Sequence, residues 1–446
     1  MALTERPRRR SAYLVLTLFV LLAGDAWRYT IGWYAYGVLA VALAGVAVWM
    51  LVAYRDRWRC AALPYPLIAF LGLATISIAW SFYPGATAIG LTATYLTAIV
   101  GLGLAVSYSW AEILRGLAAA LRFIIGLSIL FELFVSLVIR GPILPLVPSP
   151  GIDYSALPDT VPLMLFWSRN ELFQIFDGGK IQGVTGNSVL LSYVALVGII
   201  VFALQLAGRT TKRRWSILWL ALSVLTLGAT RSATIIAALA AVIIVAAAAL
   251  AVRRAHTPRA RTTAYLVIAG AVIAAATLAM ALQRELFALL GKSEDLTGRL
   301  EIWDKVIGLA QQRPVFGWGW VSHWIPGFAP FDDLVIRNGV RQLHAHNAWI
   351  DMWLQLGIVG VIVFGALVLT TYQRSWSFAV DRPQHIPGKP GLYELPALLP
   401  MLMLTGLLIQ SIAESRLLVE FGFAFLVLAA VKTKIPDAAA RAPLQR

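Results

Sequence analysis

Long apolar segments constrain the fold of this chain more than any other feature. A hydrocarbon core of about 30 Å needs about 20 apolar residues for each crossing helix. Twelve apolar windows lie at roughly 12–24, 32–54, 64–82, 86–107, 117–139, 187–208, 215–229, 231–252, 264–282, 346–371, 393–412 and 417–431. Because 59% of the 446 residues are hydrophobic and only 13% are charged, a soluble core could not bury this surface. We predict an all-α polytopic membrane protein, one integral membrane domain over residues 1–446 with about twelve transmembrane helices.

The basic residues predict the orientation of the chain. Placing both termini in the cytoplasm puts 24 Lys and Arg residues inside and 13 outside, as the positive-inside rule expects. We interpret the first window as an uncleaved helix, because no small-residue cleavage site precedes the polar stretch at Gly24. The net charge of +15 lies in short clusters between apolar runs, a pattern typical of cytoplasmic loops beside anionic lipid and not of nucleic-acid binding. Membrane lipid is therefore a predicted partner, and nucleic acid is not.

The single cysteine, Cys60, excludes an internal disulfide, and the Cys and His spacing of a structural metal site is absent. Two predicted outward loops are longer than a simple connection. The first spans about 140–187 and opens with a proline-rich stretch. The second spans about 284–345 and contains a predicted amphipathic helix capped near Thr297. One face of that helix carries Arg299, Trp303, Val306 and Ala310.

Arg231 stands between two apolar windows with Thr230 and Ser232 as its polar neighbours. It either reaches from a helix end to the membrane interface or has a function, since ionisable residues near membrane depth are costly. Its predicted outward position opposes the positive-inside trend. The planar guanidinium suits a phosphate or a pyrophosphate.

Arg299 lies near the predicted start of the second-loop helix. A helix N-terminus favours anions through its free N–H groups, and an arginine there adds a charge-assisted contact. The alternative is a solvated face on which Arg299 neighbours the acids Glu301 and Asp304.

The segment His344-Ala345-His346-Asn347 lies where the second loop enters the tenth window. A metal site is not expected, because these histidines are two residues apart and no third ligand follows in a known pattern. A neutral histidine here suits a general base that takes a proton from an acceptor hydroxyl. The alternative is a histidine that caps the helix or is hydrogen bonded within the loop.

Two glycines and three tryptophans of this region also have structural interpretations. Gly357 and Gly360 indicate close helix packing, since small residues let membrane helices approach. Trp318, Trp320 and Trp324 are either a platform on which sugars stack or, as we favour, part of an interfacial aromatic belt.

Four segments in order resemble one known pattern: Thr230-Arg231-Ser232, then Leu296-Thr297-Gly298-Arg299 with Ile302-Trp303, then Arg313-Pro314-Val315-Phe316-Gly317-Trp318-Gly319, then His344-Ala345-His346-Asn347 with Leu356-Gly357-Ile358-Val359-Gly360. The pattern is that of the O-antigen ligase and O-antigen polymerase superfamily. The resemblance covers roughly residues 215–365, about a third of the chain. The order and spacing of the segments carry it.

The resemblance implies a GT-C-like architecture and a metal-independent membrane glycosyltransferase without a cofactor. Such an enzyme transfers a glycan from undecaprenyl pyrophosphate to a glycan or lipid acceptor on the outer face of the bacterial inner membrane. Arg231 and Arg299 resemble the arginines that hold the donor pyrophosphate, and His346 resembles the residue that activates the acceptor hydroxyl. The supporting residues are His344, Asn347, Trp303 and Arg341. Attack opposite the leaving pyrophosphate predicts inversion at the anomeric carbon.

The sequence leaves the type of enzyme open and slightly favours a polymerase over an O-antigen ligase of lipopolysaccharide synthesis. Polymerases of the superfamily carry arginines in two outward loops, and the first loop here contains Arg140, Arg169 and Lys180. Gly151 follows Arg140 at a spacing found in polymerase loops, and the sequence motif around Thr297 resembles that of exopolysaccharide polymerases.

Two other classes of protein remain as alternatives. A transporter or flippase of lipid-linked glycans shares the twelve-span plan, but windows one to six show no evident copy in seven to twelve. Glu132 in the fifth window is the acidic residue that suits a carrier, unless it makes a hydrogen bond at the helix end. A receptor or scaffold would leave His346 and both arginines without a role.

Overall fold

A computed structural model describes residues 6–149, 161–281, 294–337, 340–381, 384–386, 389–390 and 393–435. Its longer helices are α1 (Arg6–Leu22), α2 (Gly24–Ala53), α3 (Tyr65–Ile76), α4 (Pro84–Ser107), α5 (Trp110–Phe134), α6 (Ser188–Ala207), α7 (Arg213–Thr230), α8 (Ala233–Arg254), α9 (Pro258–Ala281), α10 (Glu294–Ala310), α11 (Ala348–Val380), α12 (Leu399–Ser411) and α13 (Glu420–Lys432). Two short antiparallel pairs join β1 (Ile336–Arg337) to β2 (Val340–Arg341) and β3 (Gln384–Ile386) to β4 (Lys389–Pro390). The predicted class, an all-α membrane protein, is confirmed.

Each predicted apolar window overlaps one helix, and α10 is the additional helix of the second loop. Within the described residues, six helices are long and apolar enough to cross a membrane. They are Gly24–Ala53, Pro84–Ser107, Trp110–Ile139, Ser188–Ala207, Ala233–Arg254 and Ala348–Val380. The chain is thus a multi-pass membrane protein, while the count of twelve passes stays a prediction. Gly151 and the predicted loop boundary at Arg284 lie outside the described residues.

Helix α10 is the amphipathic helix that the sequence predicts. The predicted cap near Thr297 is wrong, because Thr297 lies within the helix, which is described from Glu294 onward. Ile302, Val306 and Ala310 bury the apolar face of the helix in a cluster with loop and α11 residues.

Many polar contacts between segments lie near helix ends, where they form two groups. At one end, which we call the Arg10 end, the pairs are Arg10–Ser107, Lys434–Leu63, Arg253–Ala379 and Arg261–Asp381. At the other, which we call the His346 end, they are Arg28–Glu420, Phe82–Trp318, Arg231–Ile175 and Asn347–Ile412. Successive helices therefore run between the same two sets of loops.

Helix α11 is broken at Gly357 (φ 65°, ψ −167°), and the second loop fills the break. Four backbone hydrogen bonds join them: Trp318 N to Leu354 O at 3.0 Å, Gly319 N to Gln355 O at 2.9 Å, Ile358 N to Pro314 O at 2.9 Å and Val359 N to Val315 O at 3.2 Å. A Cβ atom at Gly357 would lie 2.1 Å from the Val315 carbonyl oxygen. The prediction that Gly357 packs one membrane helix against another is therefore wrong, because this glycine packs against the second loop at a kink in its own helix.

The second-loop tryptophans lie in the interior, so both interpretations of them are wrong. Trp318, Trp320 and Trp324 are 9%, 0% and 2% exposed. The Trp320 indole donates to Thr94 Oγ1 at 2.9 Å, and its ring meets Phe70 at 5.3 Å between centroids. After Pro314 the loop turns inward, so that Trp320 joins the core of the helical bundle, while Trp318 and Trp324 pack in the cluster between the second loop, α10 and α11.

Candidate functional site

The site is built where the second loop enters α11. Asn347 caps the helix, since its side-chain oxygen accepts from Trp349 N at 2.9 Å and from Ile350 N at 3.2 Å. Its amide nitrogen donates to Ile412 O at 3.0 Å. The same side chain thus fixes the loop, the helix start and the α12–α13 turn, which comprises residues 412–419.

His346 precedes this cap in a left-handed conformation (φ 50°). Its Nδ1 lies 3.1 Å from Glu414 Oε2, and its Nε2 lies 3.3 Å from Gln342 Oε1. An ionised carboxylate only accepts, so we assign the proton of the neutral ring to Nδ1. The glutamate therefore orients the imidazole. In this tautomer Nε2 and Gln342 Oε1 are both acceptors, so their contact is not a hydrogen bond and the Nε2 lone pair is open to a hydroxyl donor.

Arg299 shares Glu414 with the histidine. Its Nη2 donates to Glu414 Oε1 at 2.9 Å, and its side chain is 13% exposed. Burial opposes ionisation of Glu414, but His346, Arg299 and Arg416 outweigh it and hold the pKa of the carboxyl below its usual value. The predicted alternative for Arg299, a solvated face with Glu301 and Asp304, is wrong, because Glu301 pairs with Lys305 instead.

Two further histidines stack beside His346. The His344 ring lies 4.0 Å from that of His346 and 5.0 Å from that of His323, between centroids. Burial lowers the pKa of His344 well below its usual value and that of His323 to about 3, and neighbouring cationic groups add to both shifts. Both rings are therefore neutral at physiological pH. Nδ1 of His344 accepts from the His346 backbone N–H at 3.0 Å, so His344 supports the loop conformation.

Trp303 and Arg341, the other supporting residues, differ in their relation to the site. The Trp303 indole donates to Ala345 O at 3.0 Å, which ties α10 to the histidine segment. Arg341 lies in β2, 51% exposed, with Nη1 3.7 Å from Asp332 Oδ1. Trp303 therefore joins the site directly, and Arg341 lies on the rim of the second loop.

Arg231 is the predicted residue that the structure places elsewhere. It ends α7 in a left-handed conformation (φ 50°), and its Nη1 donates to Ile175 O of the first loop at 2.8 Å. Within the described part of the chain, Arg231 makes no hydrogen bond to His346 or Glu414. It lies at the same end of the bundle as both.

Three ligand atoms of His344, His346 and Glu414 lie within 4.8 Å of one another and could hold a metal ion. Each residue already has another partner: Arg299 for Glu414, Gln342 for His346 and the His346 N–H for His344. A divalent cation would compete with these contacts and face the Arg299 charge. The arrangement therefore suits an anionic group better than a cation.

The sequence did not indicate the α12–α13 turn as part of the site. Glu414 lies 68 residues from His346, on a short connection between apolar helices. The next residue, Ser415, donates to buried Asp351, which also accepts from Ala345 N at 3.0 Å. The one available signal was an acidic residue in a predicted outward turn at the same end as His346.

Glu132 makes the helix-end hydrogen bonds that were the alternative to a carrier role. Its carboxylate accepts from Gln182 N at 2.9 Å, Gly183 N at 2.7 Å and Ser168 Oγ at 2.8 Å. It is 1% exposed. Glu132 therefore anchors the first loop onto α5.

These contacts define a class of protein: a multi-pass helical membrane protein whose loops at one end join a histidine, a carboxylate and a partly buried arginine. Residues 216–365 of the chain match a family model described as O-antigen ligase. The chain is also 31% identical over 85 residues to the exopolysaccharide production protein ExoQ of Rhizobium meliloti (strain 1021). That match covers 18% of this chain and 20% of the relative, so the chain spans about a fifth of the curated protein it matches. The resemblance to the O-antigen ligase and O-antigen polymerase superfamily is confirmed.

Proposed function

We propose that this protein is a glycosyltransferase of the O-antigen ligase or polymerase type that acts in cell-surface polysaccharide synthesis. Its donor is a glycan on undecaprenyl pyrophosphate, and its acceptor is a hydroxyl of a glycan or a lipid. The observation that carries the proposal is the Glu414 carboxylate, which contacts His346 and Arg299 at once. A base and a cation side by side suit transfer to a hydroxyl with an anionic leaving group.

In the proposed reaction, an acceptor hydroxyl replaces Gln342 beside Nε2 of His346. That nitrogen takes the hydroxyl proton while the oxygen attacks the anomeric carbon and the bond to the pyrophosphate breaks. Glu414 accepts from Nδ1–H at 3.1 Å and stabilises the imidazolium that forms. The pyrophosphate leaves with the electron pair, and in-line attack inverts the anomeric centre.

Arg299 supplies positive charge for the leaving group. Among the residues that the structure describes, Arg299 is bonded through Nη2 to Glu414, and we propose that its other N–H groups bind phosphate oxygens. We assign Arg231 to the far side of the same pyrophosphate, where its contact with Ile175 links donor binding to the first loop. No metal is required in this scheme, since arginines balance the charge.

Twelve passes and cytoplasmic termini are part of the proposal. The contacts at the Arg10 end join segments that the positive-inside rule assigns to the cytoplasm, and those at the His346 end join the outward segments. This division supports an even number of passes. We therefore propose that His346 lies on the outer face of the bacterial inner membrane.

We favour a polymerase over a ligase. The similarity to a protein named for exopolysaccharide production agrees with this choice, as does the first loop, which packs on α5 through Glu132. A transporter or flippase of lipid-linked glycans is the competing function. Glu132 does not support this alternative, because the carboxylate that suited a carrier is engaged in hydrogen bonds that anchor the first loop.

Transfer in a reconstituted system tests the proposal. Purified protein in lipid receives a defined undecaprenyl-pyrophosphate glycan and EDTA, and a gel resolves the products. We expect a ladder of multiples for a polymerase and a single shift of an added acceptor for a ligase. His346→Ala and Arg299→Ala should abolish product. His256→Ala is the matched control, because His256 lies between α8 and α9 at the Arg10 end.

Absence of product from verified donor and acceptor, together with normal polysaccharide in cells carrying His346→Ala, would overturn the catalytic proposal. Transport of the donor across vesicle membranes would then be measured. Loss of product in EDTA that zinc restores would overturn metal independence alone.

A further inference from the structure

A surface groove of about 420 Å³ follows the end of α10 and is separate from the histidine site. It is lined by Trp80, Arg313, Pro314, Val315, Phe316 and Gly317. Ala310 lies eleven residues after Arg299 in α10, a rise of about 17 Å along the axis. The groove thus follows the end of α10 that is farther from Arg299.

The groove is held open by contacts to its backbone. The Trp80 indole donates to Phe316 O at 3.1 Å and the Trp353 indole to Pro314 O at 3.2 Å. The Pro314 carbonyl oxygen also accepts from Ile358 N, in α11 just after the break at Gly357, at 2.9 Å. A ligand that enters the groove therefore meets walls that are already in place.

Arg313 is the charged group of this groove. Its guanidinium carbon lies 4.7 Å from the centroid of the Trp318 ring and 5.4 Å from that of Phe82, contacts that fix the side chain over two aromatic faces. Arg28, Arg299 and Arg416, at the same end, each bond a carboxylate. Arg313 forms no ion pair with any side chain that the structure describes, and it is exposed.

The remaining surface is apolar. Val315, Phe316 and Phe82 are 48%, 54% and 57% exposed, and Ile76 and Ile78 at the end of α3 continue the patch at 62% and 42%. A sugar would need several hydrogen-bonding groups, which these walls do not offer. An amphiphile with an anionic head and hydrocarbon chains matches both the cation and the walls.

We propose that this groove binds an anionic phospholipid of the surrounding membrane, with its phosphate on Arg313 and an acyl chain along Trp80, Val315 and Phe316. The lipid fills the groove between the second loop and the segment that follows α3. The site is independent of glycan transfer.

Lipid retention measured by native mass spectrometry tests the proposal. The full-length protein is released from nanodiscs of phosphatidylglycerol or of phosphatidylcholine, and bound lipid is counted. We expect one phosphatidylglycerol to be retained in preference to phosphatidylcholine. Arg313→Gln should weaken its retention about fivefold, the factor that corresponds to about 1 kcal/mol for an exposed ion pair with the lipid phosphate.

Two variants separate the groove from general attraction to lipid. Arg140→Gln removes an exposed arginine of the first loop whose Nε donates to Leu137 O, and it should leave retention unchanged. Val315→Ser should weaken retention of both lipids without loss of folding. Equal retention by the wild type and Arg313→Gln, or an equal loss in Arg140→Gln, would overturn the proposal.

Discussion

Glu414 is the residue whose replacement tests the site most directly. Glu414→Gln keeps the size of the side chain but removes the charge shared by His346 at 3.1 Å and Arg299 at 2.9 Å. The imidazolium formed during transfer then has no counter-charge. We expect the transfer rate to fall by about 10²–10⁴-fold, the range attributed to positioned acid–base groups.

The stability cost follows from the same contacts. Removing one partner of a buried ion pair costs about 3–5 kcal/mol. Because the Arg299 side chain keeps 13% exposure, we expect about 3 kcal/mol or less for Glu414→Ala, and less for the glutamine variant. Thermal unfolding in detergent measures this cost separately from turnover.

A double-mutant cycle distinguishes a role through His346 from an independent one. Transfer is measured for Glu414→Gln, His346→Ala and the double variant. If Glu414 acts through the histidine, the double variant is no slower than His346→Ala. Rate losses that multiply would refute the reasoning. Glu420→Gln is the matched control, since Glu420 lies just after the same turn and pairs with Arg28 and Arg416. Any loss of transfer rate that it causes should multiply with the loss caused by His346→Ala.

Three further predictions concern the framework of the site. Asn347→Ala should lower stability by about 1–2 kcal/mol through loss of the helix cap, seen as a lower melting temperature, and Asn347→Asp should recover the cap but not the bond to Ile412. Gly357→Ala should prevent recovery of monodisperse protein on size-exclusion chromatography, because its Cβ would lie 2.1 Å from Val315 O. Gly365→Ala is the control and should be recovered normally, since the atom nearest to its added Cβ is 3.9 Å away. Glu132→Ala should speed proteolysis of the first loop, because the carboxylate accepts two of the loop's backbone N–H groups.

The helical framework was predictable because its cause is local. Apolar runs of about membrane thickness must form helices to satisfy their backbone, and each predicted window overlaps one. The face of α10 was partly predictable for the same reason, since Val306 and Ala310 of the predicted face lie at helical spacing and are buried.

The long-range part of the site was not predictable from one sequence. Glu414 and Glu420 are both acids beside the last apolar windows, and only the fold shows that Glu414 meets His346 while Glu420 meets Arg28. The interior position of Trp320 was missed for a related reason. Nothing in the local pattern of the second loop shows that it turns back between α3, α4 and α11.

The main-chain bonds between the second loop and the break in α11 bear on how such proteins diversify. Because the loop is fastened by amides and carbonyls at residues 314–319 and 354–359, its exposed side chains, such as Val315 and Phe316, can change without detaching it. Under the proposed function, replacement of surface residues of the loop is expected to alter the choice of glycan while the loop stays in place. Exchange of the whole loop between relatives should succeed only when the partner stretch of the helix, with its glycine, is transplanted along with it.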